Sequence, residues 1–187
     1  MRVASSALFP TIVVVVVAAV LVAIIAIALI AGRKEVVVGA VVEHEGRILM
    51  CRRAIEPSRG FWTLPAGYME LGETLEEGAG REVFEEAGAS IAIEGLLGLF
   101  SVARIGQVHA IFRAHFADPG NPVYAAGTES LDVALFGWND IPWDEIAFPS
   151  VRWALDAWKE KEGAPLGLPI GNPASDPRGM HRSARPE

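Results

Sequence analysis

Apolar and polar positions divide the chain into stretches of different period. Residues 11–31 form an apolar run of 21 positions broken only by Thr11, and no charged residue occurs from Val3 to Gly32. Residues 35–43 carry a shorter continuous apolar run, 36–42 between Glu35 and Glu43, the pattern of a strand buried on both faces. His44-Glu45-Gly46 then reads as a turn into a partner strand at 47–52, and 61–65 as a further short strand. The period becomes helical at 74–87. Thr74 can cap this helix, Glu77 stands where a capping box needs it, and Gly88 ends it. Gly78 and Gly80 each weaken it by up to about 1 kcal/mol against alanine. Strand-like runs follow at 90–93, 96–102, 107–116 and 131–136, then a closing helix at 153–159. Mixed strands with two helices predict an α/β or α+β domain on a mixed sheet.

The runs also set domain limits: an apolar leader at 1–32, one domain at 33–162 and a tail at 163–187. The tail holds five of the 12 prolines with no period, the composition of a disordered segment. The leader has three readings. At about 1.5 Å per residue its core would make roughly 31 Å of helix, enough to cross a bilayer. The basic residues that follow it (Arg33, Lys34, Arg47, Arg52, Arg53) against Arg2 before it favour a transmembrane anchor with the domain in the cytosol. A signal peptide is the rival, since Ala26-Ile27-Ala28 is a small-x-small triplet, but the run is long for one. A misassigned gene start, with the leader never made, would leave a cytoplasmic protein and remove the difficulty that almost no linker joins the leader to the first strand.

Composition narrows the function classes. The net charge of −7 argues against binding nucleic acid through a basic surface. An acidic protein still handles phosphate esters when metal ions stand between its carboxylates and the phosphate oxygens. A lone cysteine, Cys51, excludes an intramolecular disulfide and a cysteine-based zinc site, and in its apolar strand it reads as an inert buried thiol.

The candidate chemistry sits on the predicted helix. Glu82, Glu85 and Glu86 stand at i, i+3 and i+4 and share one helix face. A lone Glu-x-x-Glu-Glu is most often a solvated face. Three crowded carboxylates also suit a hard cation such as Mg²⁺ or Mn²⁺. Gly67 and Gly72 in the preceding loop allow backbone to pass close to a site.

The full spacing of 67–89 resembles the Nudix box: Gly67, then Glu73 after five residues, then Arg81-Glu82 after seven, followed by Val83, Glu85-Glu86 and Gly88. Only the last position, Ala89, is small rather than strongly aliphatic. Residues 36–43, 51–57, 60–67 and 141–149 also look like one branch of that family, ADP-ribose and FAD pyrophosphatases that usually carry a zinc ribbon, absent here. The resemblance covers about 35–158. It implies a mixed sheet sandwiched between helices. It makes Glu82, Glu85, Glu86 and the carbonyl near Gly67 metal ligands for Mg²⁺ or Mn²⁺, with Glu82 also a candidate base. Glu73 and Arg81 become a structural brace, and Gly88 a structural glycine of the box.

Outside the box, Glu129 and Asp132 are candidate further acids, Glu129 being preferred as the catalytic one. Phe61 and Trp62 are candidate base-stacking residues, although aromatics beside a strand are more often core. Arg52, Arg53 and Arg59 are candidate phosphate contacts, with ordinary surface salt bridging the equal alternative. His44, His109, His115 and His181 share no ligand spacing and receive no role. The expected activity is metal-dependent hydrolysis of a nucleoside diphosphate linked to another moiety, such as ADP-ribose, FAD or NADH. The alternative is a silent module binding nucleotide or a protein partner, against which stands the intact Arg-Glu-x-x-Glu-Glu core. Expected partners are a small nucleotide and no nucleic acid, with a membrane for the leader and a homodimer left open.

Overall fold

The computed structural model describes residues 35–180. Strands β1 (Glu35–His44), β2 (Arg47–Arg53), β3 (Trp62–Thr63) and β4 (Ala66–Tyr68) precede helix α1 (Leu75–Ala87). Then come β5 (Ile91–Val102), β6 (Gln107–Phe116), β7 (Ser130–Gly137), two single 3₁₀ turns and α2 (Pro149–Glu160). The seven strands form one mixed sheet, with β1 parallel to β6 and the other pairs antiparallel.

β1 is buried on both faces, as its unbroken apolar run requires. Val38, Ala40 and Val42 meet Val83 and Ala87 of α1 on one face, whereas Val41 joins Leu155 and Trp158 of α2 on the other. The two helices therefore flank the sheet, giving a mixed α+β fold. β1 and β2 pair only at their turn, Glu43 with Ile48 and His44 with Arg47. Past that point the sheet parts: β4 takes the free edge of β1, and β3 and β7 flank β2. Val37, Leu64 and Gly67 beside that parting line one cleft with Glu82, Glu85 and Glu86 of α1.

Helix α1 is closed as its sequence predicts. Thr74 Oγ1 accepts from Glu77 N–H at 3.2 Å, Glu77 Oε2 accepts from Thr74 N–H at 2.8 Å, and Gly88 ends the helix with φ 60°. Gly78 has a packing reason, since a Cβ there would lie 2.9 Å from Val38 Cγ2 and 2.6 Å from Glu73 Oε1. Gly80 has none within 4 Å.

Four expectations differ from the structure. The strand expected at 61–65 is only Trp62–Thr63, and a separate short strand, β4, follows Pro65, which brings no N–H and whose carbonyl accepts from Ala40. The strands expected at 90–93 and 96–102 are one, β5, with register shifts near Gly95 and Gly98. The closing helix begins earlier, with Pro149 in its first turn. Of the tail, expected to be disordered, the described residues 163–180 include a segment that pairs with β5. Ile170 exchanges backbone hydrogen bonds with Leu97 and Leu99, and the Asn172 side chain bonds the Ser101 backbone, so an unused edge of β5 supplies the partners that composition could not reveal. Among the described residues no helix is long and apolar enough to cross a membrane. The leader expected to do so lies outside them.

Candidate functional site

A cleft of about 1560 Å³ runs from the acidic face of α1 across β4 to the β5–β6 hairpin and the start of α2. The box forms its floor. Arg81 organises that floor: its guanidinium donates to both Glu73 oxygens (2.9 and 3.0 Å), to Tyr68 O (3.0 Å), to Glu82 Oε1 (2.8 Å) and to Glu85 Oε2 (2.9 Å). With the Glu70 N–H, this cation holds the Glu73 carboxyl down at about 2. The pair ties the loop before α1 to the helix.

Glu82 and Glu86 are buried, at 8% and 7% exposure, although both are acids. Burial lifts Glu86 to about 7, with the charge of Glu82 adding to it and the Ala66 N–H (3.0 Å to Oε2) and Arg53 opposing. Burial likewise raises Glu82, and Arg81 opposes. The charge of Glu129 bears on both carboxylates and raises them further. Its placement comes from Gly127, whose N–H donates to Glu86 O at 3.0 Å. A Cβ on Gly127 would lie 2.9 Å from Glu85 C, so only glycine lets the loop cross the end of α1 this closely. Asp132, the other candidate, lies along β7 opposite Arg52 and outside the cleft lining.

Gly67 makes the second close approach. A Cβ there would stand 2.5 Å from Glu82 Cδ, so the bare backbone of β4 is what lies against the Glu82 carboxylate. The donors are all oxygens, from Glu82, Glu85, Glu86, Glu129 and the Gly67 backbone, and the one charge of Arg81 is shared among Glu73, Glu82 and Glu85. That surplus of negative charge fits a hard divalent ion. Among the described residues no three acidic, histidine or cysteine side chains converge on one point, because Glu82 and Glu85 turn toward Arg81.

The remaining candidates divide. Arg53 lines the cleft, with its Nε on Pro57 O (2.9 Å) and its guanidinium 5.1 Å from the Phe148 ring centroid. Arg52 points the other way, as strand alternation dictates, and donates to Gly60 O. Trp62 is core, edge-on to Phe136 at 4.8 Å, and neither Trp62, Phe61 nor Arg59 lines the cleft. Burial pushes the Cys51 thiol far up, consistent with an inert group. Sequence reasoning missed Tyr68, Arg104, Gln107 and His109, all of which line the cleft. Gln107 Nε2 donates to Tyr68 Oη at 2.8 Å, and Gln107 Oε1 lies 3.2 Å from His109 Nε2. Their signal was two polar residues at i and i+2 on one face of an otherwise apolar strand.

A family model described as the NUDIX domain matches residues 33–154. An ADP-ribose pyrophosphatase of Methanocaldococcus jannaschii is 31% identical over 129 residues, covering 68% of this chain and 75% of that protein. A MutT-like protein of Streptomyces ambofaciens is 39% identical over 98 residues, 52% of this chain and 60% of that one. The crystal structure of a NUDIX hydrolase from Nitrosomonas europaea superposes with a TM-score of 0.68 at 42% identity, over 75% of this chain and 80% of that chain.

Proposed function

The chain belongs to the Nudix hydrolase family and is a pyrophosphohydrolase, and on that premise we propose that it cuts the diphosphate bridge of a nucleoside diphosphate linked to a second group, of the ADP-ribose class. The observation that carries this is the pair of buried carboxylates, Glu82 and Glu86, set against bare β4 backbone beneath a cleft long enough for such a substrate. A silent binding module would have no use for two buried acids at that cost in desolvation.

Glu82, Glu85, Glu86 and the Gly67 carbonyl would hold the divalent ion, Mg²⁺ or Mn²⁺. Bound there, it would withdraw charge from the bridging phosphates and acidify an attacking water. Glu129 lines the same cleft, near enough for its charge to act on Glu82 and Glu86, and is the proposed base, with Glu82 the alternative. Arg53, fixed by Pro57 and Phe148, supplies a cation to the phosphates. Arg81 and Glu73 hold the loop so that the acids stay aimed at the cleft.

A panel of ADP-ribose, FAD, NADH and nucleoside triphosphates, with Mg²⁺, Mn²⁺ or chelator, tests the reading. Turnover of a diphosphate diester that chelator abolishes supports it, whereas turnover of triphosphates alone would refute the substrate class. A membrane anchor at residues 1–32 remains a separate proposal. Recovery of the chain in the soluble fraction with the leader present by mass spectrometry would end it.

A further inference from the structure

Arg104 and Ile105 form the tip of the β5–β6 hairpin and line the far end of the cleft. Arg104 is exposed and makes no hydrogen bond or ion pair with any described residue. Ile105 is 48% exposed, and Tyr68, on the facing β4 edge, is 54% exposed. Two of these groups are held in place. Gln107 fixes the Tyr68 hydroxyl. The hairpin tip is held from behind by the C-terminal segment: Ala103 N–H donates to Arg178 O at 3.0 Å, and the Asn172 side chain bonds both Ser101 N–H (2.7 Å) and Ser101 O (2.8 Å). Gly179 packs so near that a Cβ on it would lie 2.9 Å from Val102 Cα. This segment lies beyond the residues that the family model matches.

We infer that Tyr68, Arg104 and Ile105 form the nucleobase end of the substrate site, and that the C-terminal segment belongs to that site by pinning the hairpin tip. The inference rests on the proposed substrate class. Distance supports it. Register sets Gly67 level with Val38 and Ala110, the Tyr68 hydroxyl reaches Gln107 three positions along β6, and at about 3.3 Å per residue the tip lies roughly 15 Å along the strands, so the three groups span the reach from diphosphate to base. The other rings on that side are already engaged, Phe148 by Arg53 and Trp153 by Phe100. Phe84 is open, but it sits on α1 next to Glu85, where the diphosphate belongs. A flat base stacks on Tyr68 and beneath the planar guanidinium, and Ile105 covers its edge.

Calorimetry of the full chain with AMP and with ribose 5-phosphate tests this independently of turnover. Tyr68→Ala and Arg104→Ala should each weaken AMP binding on the order of tenfold and leave ribose 5-phosphate unchanged. Asn172→Ala, a positioning change remote from the acids, should raise KM for ADP-ribose severalfold with kcat within twofold. Parental AMP affinity in both cleft variants, or no AMP binding by the parent, would overturn the inference. So would a loss confined to Phe84→Ala. Absence of hydrolysis with AMP binding intact and weakened as stated would instead refute the proposed reaction.

Discussion

Gly67→Ala should separate catalysis from folding. The backbone at Gly67 is extended and open to any residue, so the change removes unfolded-chain entropy, a gain of about 0.4–1 kcal/mol. Against that, the new methyl meets the Glu82 carboxyl carbon at 2.5 Å, well inside van der Waals contact. The clash is with the end of a side chain, so Glu82 swings away and its 2.8 Å bond to Arg81 is lost, costing about 1.5–3 kcal/mol for a charged bond. The net loss is about 0.5–2.5 kcal/mol, at roughly 2–4 °C of Tm per kcal/mol in a domain of this size. A carboxylate displaced by about 1 Å should lower kcat on the order of 10²-fold. Gly80→Ala, with nothing within 4 Å, is the control: about 1 kcal/mol more stable and unchanged in rate. The assay is steady-state ADP-ribose hydrolysis beside a thermal melt. Near-parental kcat in Gly67→Ala would refute the reasoning about that approach, and loss of fold would show that the clash is not relieved by the side chain.

Glu86→Gln should lower kcat about 10³-fold or more in steady-state assays while the chain folds, because Gln still accepts from Ala66 N–H. Glu129→Gln should cost on the order of 10²-fold in kcat, within the range of general-base losses, and Asp132→Asn almost nothing; the reverse ranking would reassign the base. His109 is held down to about 4 by burial, against about 6.5 when unfolded. The unfolded chain therefore binds more protons between those values, so stability is full above about 6.5 and falls as pH drops toward 4, by at most about 3 kcal/mol. Urea melts across that range should show the loss, and His109→Gln should flatten it; an unchanged slope in the variant would assign it to other groups.

Much of this site was legible because its residues lie on one short stretch. The capping box, the terminating Gly88 and the i, i+3, i+4 acids all follow from local spacing, and the three acids line the cleft. What local spacing lacks is the partner across space. Gly127 reads as an ordinary loop glycine until the end of α1 is found against it, and that contact is what brings Glu129, rather than Asp132, to the acids. Arg52 and Arg53 look alike in sequence, yet strand alternation sends one to solvent and the other to the cleft. The described part of the proline-rich tail had too little apolar surface to predict its place, because it is held by Ile170 backbone bonds and the Asn172 side chain along a β5 edge that no composition records.

Product identity from ADP-ribose tests the central claim most directly. Purified chain with Mg²⁺ or Mn²⁺ should release AMP and ribose 5-phosphate in equal amounts, resolved by ion-exchange chromatography. Release should stop with chelator and fall about 10³-fold in Glu86→Gln. An intact ADP-ribose pool, with pyrophosphate released only from nucleoside triphosphates, would contradict it.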